Sequence, residues 1–319
     1  MNTPELRVAL EAIFLRPVAA LRRERSPYSS SFPIEELEVT FHNGETVTMI
    51  FKNLGRDAML ESARTVRPDF LYAPEREIEV YRSLLSSIDL GAPKLYGATV
   101  MPALAHYGLF LEKVSGQELC EIGEFDIWLN VARWLAQFHR SFDLEAARTT
   151  APLLVEYDAA YCWRWLHRAH EAAGSVLDRI AGRYDRVVDI LLKAPQAFIH
   201  GEFYASNILV QGKGSAIRVC PVDWEMAAIG PALLDVAALA SGKWSRDERL
   251  RLLQAYHSIP SSRLQSNEAV TAFDCCQLQV ALQWVGWSRT WTPSPPHAHD
   301  WLTEVLRISA SESLAPLFV

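Results

Sequence analysis

Residues 198–235, FIHGEFYASNILVQGKGSAIRVCPVDWEMAAIGPALLD, decide how the rest of the chain is read. Ile208-Leu209-Val210 has the make-up of a short strand, Gln211-Gly212-Lys213-Gly214 that of a turn, and Ile217 to Val222 that of the returning strand. In an antiparallel hairpin the residue before the first strand lies beside the residue after the second. Asn207 and Asp223 therefore share its open end, with Glu202 five residues upstream of Asn207. A carboxylate beside an amide oxygen makes a hard, oxygen-only site, suited to Mg²⁺ shared with phosphates.

Towards the N-terminus the text turns β-rich. Leu37 to Phe41 and Thr46 to Lys52 both alternate, and the Asn43-Gly44 pair between them is a hairpin signal. Val47, Met49 and Phe51 share one face of the second strand, which leaves Lys52 on the other. A turn-rich Ser26–Phe32 loop precedes the hairpin. A helix is expected from Pro74, with Glu77, Tyr81, Leu84 and Leu85 on its inward stripe. A carboxylate on that stripe needs a positive partner, because burying it alone is costly. Tyr107 to Leu111 reads as another strand, followed by Glu112-Lys-Val114-Ser-Gly116.

From about residue 114 helical stripes take over. Val131, Trp134, Leu135 and Phe138 mark one helix, and further stripes run through 156–193, 246–257 and 267–290. Glu156 and Asp158 suit a helix start, where negative charge complements the dipole. The expected organisation is a β-rich lobe over 1–113 and a larger helical lobe over 114–319, an α+β chain in two lobes. Trp291 and the prolines after it read as a surface loop.

Composition sets the outer limits. The chain has 319 residues, half of them apolar, and a net charge of −7, which excludes a disordered chain and lacks the basic footprint of a nucleic-acid binder. Five cysteines in no paired spacing point to reduced thiols, and hence to the cytoplasm. No apolar run reaches membrane-spanning length and the N-terminus has no secretory pattern, so no membrane partner is expected.

The kinase template reads H-R-D-x-x-x-x-N and, further on, D-F-G. Here the text is His200-Gly201-Glu202 with Asn207, then Asp223-Trp224-Glu225. With Lys52 on an N-terminal strand and Glu77 on a helix, the chain resembles the aminoglycoside phosphotransferase and choline kinase family, whose fold is similar to that of protein kinases. Gly230-Pro231 to Asp235 and Leu135-Ala-Gln-Phe-His139 add to the likeness, which extends over nearly the whole chain.

The resemblance implies a bilobal protein kinase-like fold and a small-molecule kinase using Mg²⁺ and ATP or GTP. It assigns Lys52 to the α/β-phosphates, Glu77 to holding Lys52, and Asn207 and Asp223 to the metal. His200 and Asp235 would brace the catalytic loop. Glu112 to Gly116, with Val114, would be the hinge that receives the purine. No G-x-G-x-x-G precedes Lys52, which leaves Ser29, Ser30 and Ser31 to cover the phosphates through backbone N–H groups.

One position departs from the family. Glu202 stands where the family has Asp, the group expected to accept the proton of the attacking hydroxyl. Glutamate keeps the charge and adds a methylene, so either the acceptor sits further from the loop or catalysis is weakened. A loose phosphoryl-transfer transition state needs little basic assistance, which favours a working enzyme over an impaired kinase-like binding protein. A protein kinase is disfavoured by His-Gly in place of His-Arg and by the lack of A-P-E.

The acceptor stays open between aminoglycoside-like antibiotics, amino alcohols and sugars, and the oligomeric state is open too. His139 reads as a buried, hydrogen-bonded histidine. Glu225 could join the metal site, meet substrate or simply pack. Ten tryptophans are unusual, and Trp284, Trp287 and Trp291 recur on one helical face. With Trp163 and Trp165 they form either a helix–helix core or an aromatic wall of the acceptor site, able to hold a flat, apolar or cationic ligand.

Overall fold

A computed structural model describes residues 1–26, 31–212, 217–258, 266–287 and 299–319. Ser29, Ser30, Lys213-Gly214 and the Trp291 loop lie outside the described residues. The chain divides into two compact units, Met1–Gly116 and Gln117–Val319. A β-sheet dominates the first and helices the second, which is the bilobal kinase-like architecture.

The first unit runs α1 (Thr3–Phe14), β1 (Val18–Arg25), β2 (Ile34–Phe41), β3 (Thr46–Asn53), α2 (Glu61–Arg64), α3 (Pro74–Glu79), β4 (Leu95–Met101) and β5 (His106–Glu112). The five strands form one antiparallel sheet in the order β1-β2-β3-β5-β4. The β2–β3 hairpin has the register its alternation predicts, Leu37 opposite Met49 and Val39 opposite Val47. Its turn closes with Gly44 at φ +83°, the left-handed conformation glycine adopts without a Cβ penalty. The Gly44 N–H donates to the Phe41 carbonyl at 2.9 Å. Leu37, Val39, Phe41, Met49, Phe51 and Phe110 pack with Leu6 and Leu10 of α1 into one core. Burial of each such side chain contributes roughly 1.5–3 kcal/mol.

Two elements here carry little sequence signal. Strand β1 is the sheet edge, and its Leu-Arg-Arg-Glu-Arg text shows no alternation because most of its side chains meet solvent. Arg23 in β1 is held to Glu35 of β2 by two contacts of 2.7 and 2.8 Å. Helix α1 begins with a capping box in which Asn2 and Glu5 satisfy each other's backbone N–H groups.

The second unit runs β6 (Gln117–Glu118), α4 (Phe125–Arg140), α5 (Leu144–Thr150), β7 (Val155–Glu156), α6 (Ala159–Ala173), α7 (Asp178–Ala181), α8 (Tyr184–Lys193) and β8 (Gln196–Ile199). It continues through β9 (Ile208–Gln211), β10 (Arg218–Pro221), β11 (Ala228–Pro231), α9 (Leu233–Leu239), α10 (Arg246–His257), α11 (Ser266–Trp287) and α12 (Trp301–Ser309). Two three-stranded sheets, β10-β9-β6 and β7-β11-β8, carry the loop segments between the helices. Asp158 caps α6 by accepting from the Tyr161 N–H at 2.7 Å. Glu156, read as part of that helix start, instead sits in β7 and binds Arg148 at 2.9 Å. No helix among the described residues is long and apolar enough to cross a membrane.

Candidate active site

The loop after β8 is fixed by its first residues. His200 is fully buried, its ring 4.4 Å from that of Trp224. Its Nε2 lies 2.9 Å from the Val222 carbonyl, which only accepts, so Nε2 carries the proton. Nδ1 is then the acceptor for the Glu202 N–H at 3.3 Å. A neutral histidine of one tautomer thus ties Glu202 to the end of the hairpin. Gly201 has φ +83°, and a Cβ there would stand 2.2 Å from the Met226 carbonyl oxygen. Both the dihedral and the close backbone approach require glycine.

Asp235, in the first turn of α9 and 1% exposed, receives the backbone of this loop. Its carboxylate accepts from the His200 N–H at 2.8 Å and the Gly201 N–H at 2.9 Å. Nε2 of His139, from α4, approaches the same carboxylate at 3.2 Å. Donation there leaves Nδ1 of His139 to accept from the Tyr256 hydroxyl of α10 at 2.9 Å. Burial, reinforced by Asp235, raises the Tyr256 phenol above its ordinary range, so it keeps the proton it donates. Three helices converge on two peptide N–H groups, and His139 serves as a buried hydrogen-bonding residue.

The β9–β10 pair brings Asn207 and Asp223 to one end of the hairpin. Ile208 faces Pro221, and one step further out the Val222 N–H donates to the Asn207 carbonyl at 2.9 Å. Asp223 follows directly, in the left-handed region at φ 67°, which is uncommon for a residue with a Cβ. The Asn207 Nδ2 donates to the Glu202 carbonyl at 3.0 Å, which leaves its Oδ1 to act as an acceptor. Among the described residues no cluster of three or more His, Cys, Asp or Glu forms a protein-only metal cage. One amide oxygen and one carboxylate suit Mg²⁺, which keeps waters and shares substrate phosphates. Glu225 is buried, 8% exposed, in the turn that follows.

In the first unit, Lys52 on β3 and Glu77 on α3 form a buried ion pair. The Lys52 Nζ lies 2.8 and 2.7 Å from the two Glu77 carboxylate oxygens, with the residues 5% and 1% exposed. Glu77, Tyr81, Leu84 and Leu85 are all buried, as their spacing predicts. The helix does not continue as a regular α-helix, however, since a π-turn covers Val80–Leu84. Glu112 ends β5, its N–H donating to the Lys94 carbonyl at 2.8 Å and its carboxylate accepting from the Lys94 N–H at 3.0 Å. Val114 is half-buried in the segment beyond it. Ser31 is half-buried, and its carbonyl accepts from the Leu60 N–H at 3.1 Å.

A small concavity opens beside Glu202, within the second unit. Gly201, Glu202 and Tyr204 line one side, and Trp165, Trp284 and Trp287 another. Met226 and Gln283 complete it. Trp165 and Trp287 stack at 6.0 Å with 7° between their planes, and Trp284 stacks on Trp301 at 5.5 Å. The Trp284 indole N–H donates to the Tyr204 hydroxyl at 2.6 Å. Burial first, then Glu202, pushes the Tyr204 phenol well above its usual range, so it stays neutral.

Trp163 does not line this concavity; it packs edge-on against Tyr184 at 5.2 Å. Trp165, the other tryptophan of the Tyr161–Trp165 run, lines it instead, as does Tyr204, for which the sequence offers no such reading. The signal for Trp165 was present, because Cys162, Trp165 and Ala169 recur at helical spacing on the buried face of α6. Nothing local marks Tyr204 or Gln283, since α11 alone brings them together.

The family model of the phosphotransferase enzyme family, APH, matches residues 75–265. No curated protein sequence matches the chain significantly. Among solved structures, a microcompartment-associated aminopropanol kinase gives a TM-score of 0.63 at 15% identity, over 98% of this chain and 96% of the other. A choline/ethanolamine kinase family protein from Mesorhizobium loti gives 0.62 at 15% identity, over 100% and 98%. A macrolide 2'-phosphotransferase from Brachybacterium faecium gives 0.57 at 20% identity, over 88% and 91%. At such identities these likenesses concern the fold. The family match spans more than half of the sequence and includes Glu77, the His200–Glu202 loop, Asn207, Asp223 and Asp235: the chain belongs to the phosphotransferase enzyme family.

Proposed function

We propose that the protein is a small-molecule kinase that transfers the γ-phosphoryl group of ATP or GTP to a hydroxyl of a small acceptor. The observation that carries this reading is the loop around Glu202. Its carbonyl holds Asn207, its N–H is held by His200, and its residue lines a small concavity walled by aromatic side chains.

In this reading the acceptor hydroxyl lies against the Glu202 carboxylate. As its oxygen bonds to the γ-phosphorus, the bond to the nucleoside diphosphate breaks and the hydroxyl proton passes to Glu202. Catalysis of this kind rests on position and charge more than on base strength, so the extra methylene matters chiefly through where the carboxylate is held. Asn207 Oδ1 and the Asp223 carboxylate would hold Mg²⁺, which neutralises charge on the phosphates. Lys52, held by Glu77, would contact the α/β-phosphates. Ser31, with Ser29 and Ser30, covers the phosphates, and the backbone of Glu112 to Val114 receives the purine. His200 and Asp235 set the loop without touching substrate. Glu225 and Trp163 have no role in this scheme.

The test is a thermal melt with Mg²⁺ and ATP or GTP. The melting temperature should rise, and Asp223→Ala should remove the rise. No shift with either nucleotide would refute the reading. The substitution of Glu for the family's Asp supports one rival, a nucleotide-binding protein without turnover. Glu202→Gln separates the two: a kinase retains nucleotide binding and loses most of its turnover of a hydroxylated acceptor.

A further inference from the structure

The loop around Glu202 is clamped at its start by Asp235, but the stretch that joins Glu202 to Asn207 is held by other bonds. The Tyr204 N–H donates to the Glu202 carbonyl at 2.7 Å, and the Asn207 N–H donates to the Tyr204 carbonyl at 2.8 Å. Tyr204 is therefore bonded through its own peptide groups to both Glu202 and Asn207. Its backbone is extended, with φ −75° and ψ 151°, and leads directly into the 3₁₀ turn Ala205–Asn207. Phe203 is fully buried, its ring stacked on that of Trp134 with 3° between the planes. Tyr204 and the residues of the turn are only half-buried, so packing alone does not set their orientation.

One bond reaches this stretch from outside the loop. Among the described residues, the only hydrogen bond to the Tyr204 hydroxyl comes from the Trp284 indole N–H. An indole only donates, so the phenol oxygen is the acceptor, and the two rings lie 5.5 Å apart at 58°. Trp284 is itself firmly mounted. Its ring stacks on Trp301 of α12, and the turn of α11 that carries it is tied on both sides. Before it, the Gln283 Nε2 donates to the Tyr157 hydroxyl at 3.0 Å. After it, Arg168 of α6 donates to the Gly286 carbonyl at 2.8 Å and the Trp287 carbonyl at 3.0 Å. The two helices touch closely there, since a Cβ on Gly286 would stand 3.0 Å from the Ala169 nitrogen. The indole N–H is thus a fixed point against which a half-buried loop is set, and a locked side chain is what locks the next one.

We propose that Trp284 is a positioning residue: its N–H fixes Tyr204, and the Tyr204 peptide groups carry that position to Glu202 and Asn207 together. The consequence for metal binding rests on the kinase reading; the hold on the loop does not. Released from the indole, the Tyr204 ring is free to turn, and the 3₁₀ turn that begins after it moves with it. Asn207 Oδ1 then shifts against the Asp223 carboxylate, which follows β10 and is not carried by this turn. A site with two protein ligands has little to spare, so Mg²⁺ would be held more weakly. Nucleotide contacts that do not pass through the metal are unchanged.

The experiment uses Mn²⁺ in place of Mg²⁺ and the β,γ-imido analogues of ATP and GTP, with the full chain, Trp284→Phe, Tyr204→Phe and the double variant. Mn²⁺ binding at saturating analogue is followed by electron paramagnetic resonance, and metal-free analogue binding by calorimetry. Each single change should weaken Mn²⁺ binding about tenfold and leave metal-free analogue binding within about twofold of the parent. The double variant should lose no more than the weaker single one, because both changes remove the same bond. Trp163→Phe also removes a packed indole and should leave Mn²⁺ binding unchanged, which separates position from general loosening. Tyr204→Phe loses one oxygen atom and serves if Trp284→Phe does not fold. Mn²⁺ binding within about twofold of the parent in a folded single variant, or additive losses in the double variant, overturns the inference. Amide exchange of the peptide covering residues 203–209 is measured alongside. If the parent binds neither analogue, the kinase reading is refuted; faster exchange in the single variants then upholds the hold on the loop, and exchange at the parental rate overturns it.

Discussion

Asp235→Asn is a nearly isosteric change whose effect can be worked out donor by donor. In the native protein Oδ2 accepts from the His200 N–H and from His139 Nε2, and Oδ1 accepts from the Gly201 N–H. The amide oxygen does best at the Oδ2 place, where it keeps two donors. The new NH₂ then faces the Gly201 N–H, donor against donor. Leaving that N–H unsatisfied costs about 1–3 kcal/mol. The two remaining bonds lose charge assistance, roughly a further 1 kcal/mol in all. The sum is about 3 kcal/mol. All ten tryptophans lie at or beyond residue 128, within the second unit, so indole fluorescence reports its unfolding and not that of the first. With a urea slope of about 3 kcal/mol/M, the midpoint should fall by roughly 1 M at unchanged slope. His139→Gln combined with Asp235→Asn should destabilise by less than the sum of the single changes, because the pair shares one bond. A midpoint within about 0.2 M of the parent, or strict additivity in the double variant, would show that the carboxylate does not clamp the loop.

Three other outcomes are expected. Lys52→Met takes the ammonium partner from the buried Glu77 carboxylate, so the first unit should be destabilised by about 3 kcal/mol, read by circular dichroism; adding Glu77→Leu should recover part of the stability while nucleotide binding stays weak. Burial alone would raise the Glu304 carboxyl, but Arg307 and Arg249 outweigh it and hold it at about 2. Because the folded value is depressed, its stabilisation is complete above the unfolded value near 4.5 and is lost as pH falls towards 2; Glu304→Gln should flatten the acid limb of the urea midpoint against pH over that window. Of the five cysteines only Cys120 is exposed, and burial together with Glu118 pushes its thiol up to about 11. Aromatic disulfide titration at pH 8 should count one slowly reacting thiol in the native protein and five after denaturation, and rapid reaction of more than one would contradict the packing around Cys162, Cys275 and Cys276.

Where an element satisfied itself locally, the sequence was enough to read it. The β2–β3 hairpin has its alternation and turn glycine within a few residues, and Glu77 announced a partner because a lone carboxylate cannot sit on an apolar stripe. The β9–β10 ends were legible from hairpin geometry, though Asn207 pairs with Val222 and Asp223 lies one step beyond. The Asp235 clamp was legible as a place but not as a network. His139 and Tyr256 reach it from helices separated by most of the second unit, and no local pattern encodes that meeting. Strand β1 was illegible because an edge strand with solvated arginines resembles a loop or helix in composition. The aromatic site was half legible: the α11 face held Trp284 and Trp287, but the phase of α6 had to be right to choose Trp165 over Trp163.

The clamp on His200 and Gly201 also bears on how the second unit opens. Loops ordinarily exchange their amide hydrogens by local fluctuation, with free energies near zero. These two N–H groups can be exposed only when α9, itself buried along its whole length, gives up its first turn. The loop and α9 should thus belong to a single cooperative opening unit. The His200 and Gly201 amides should exchange as slowly as those of the helical core. A segment without regular secondary structure would then rank among the last parts of the molecule to let go.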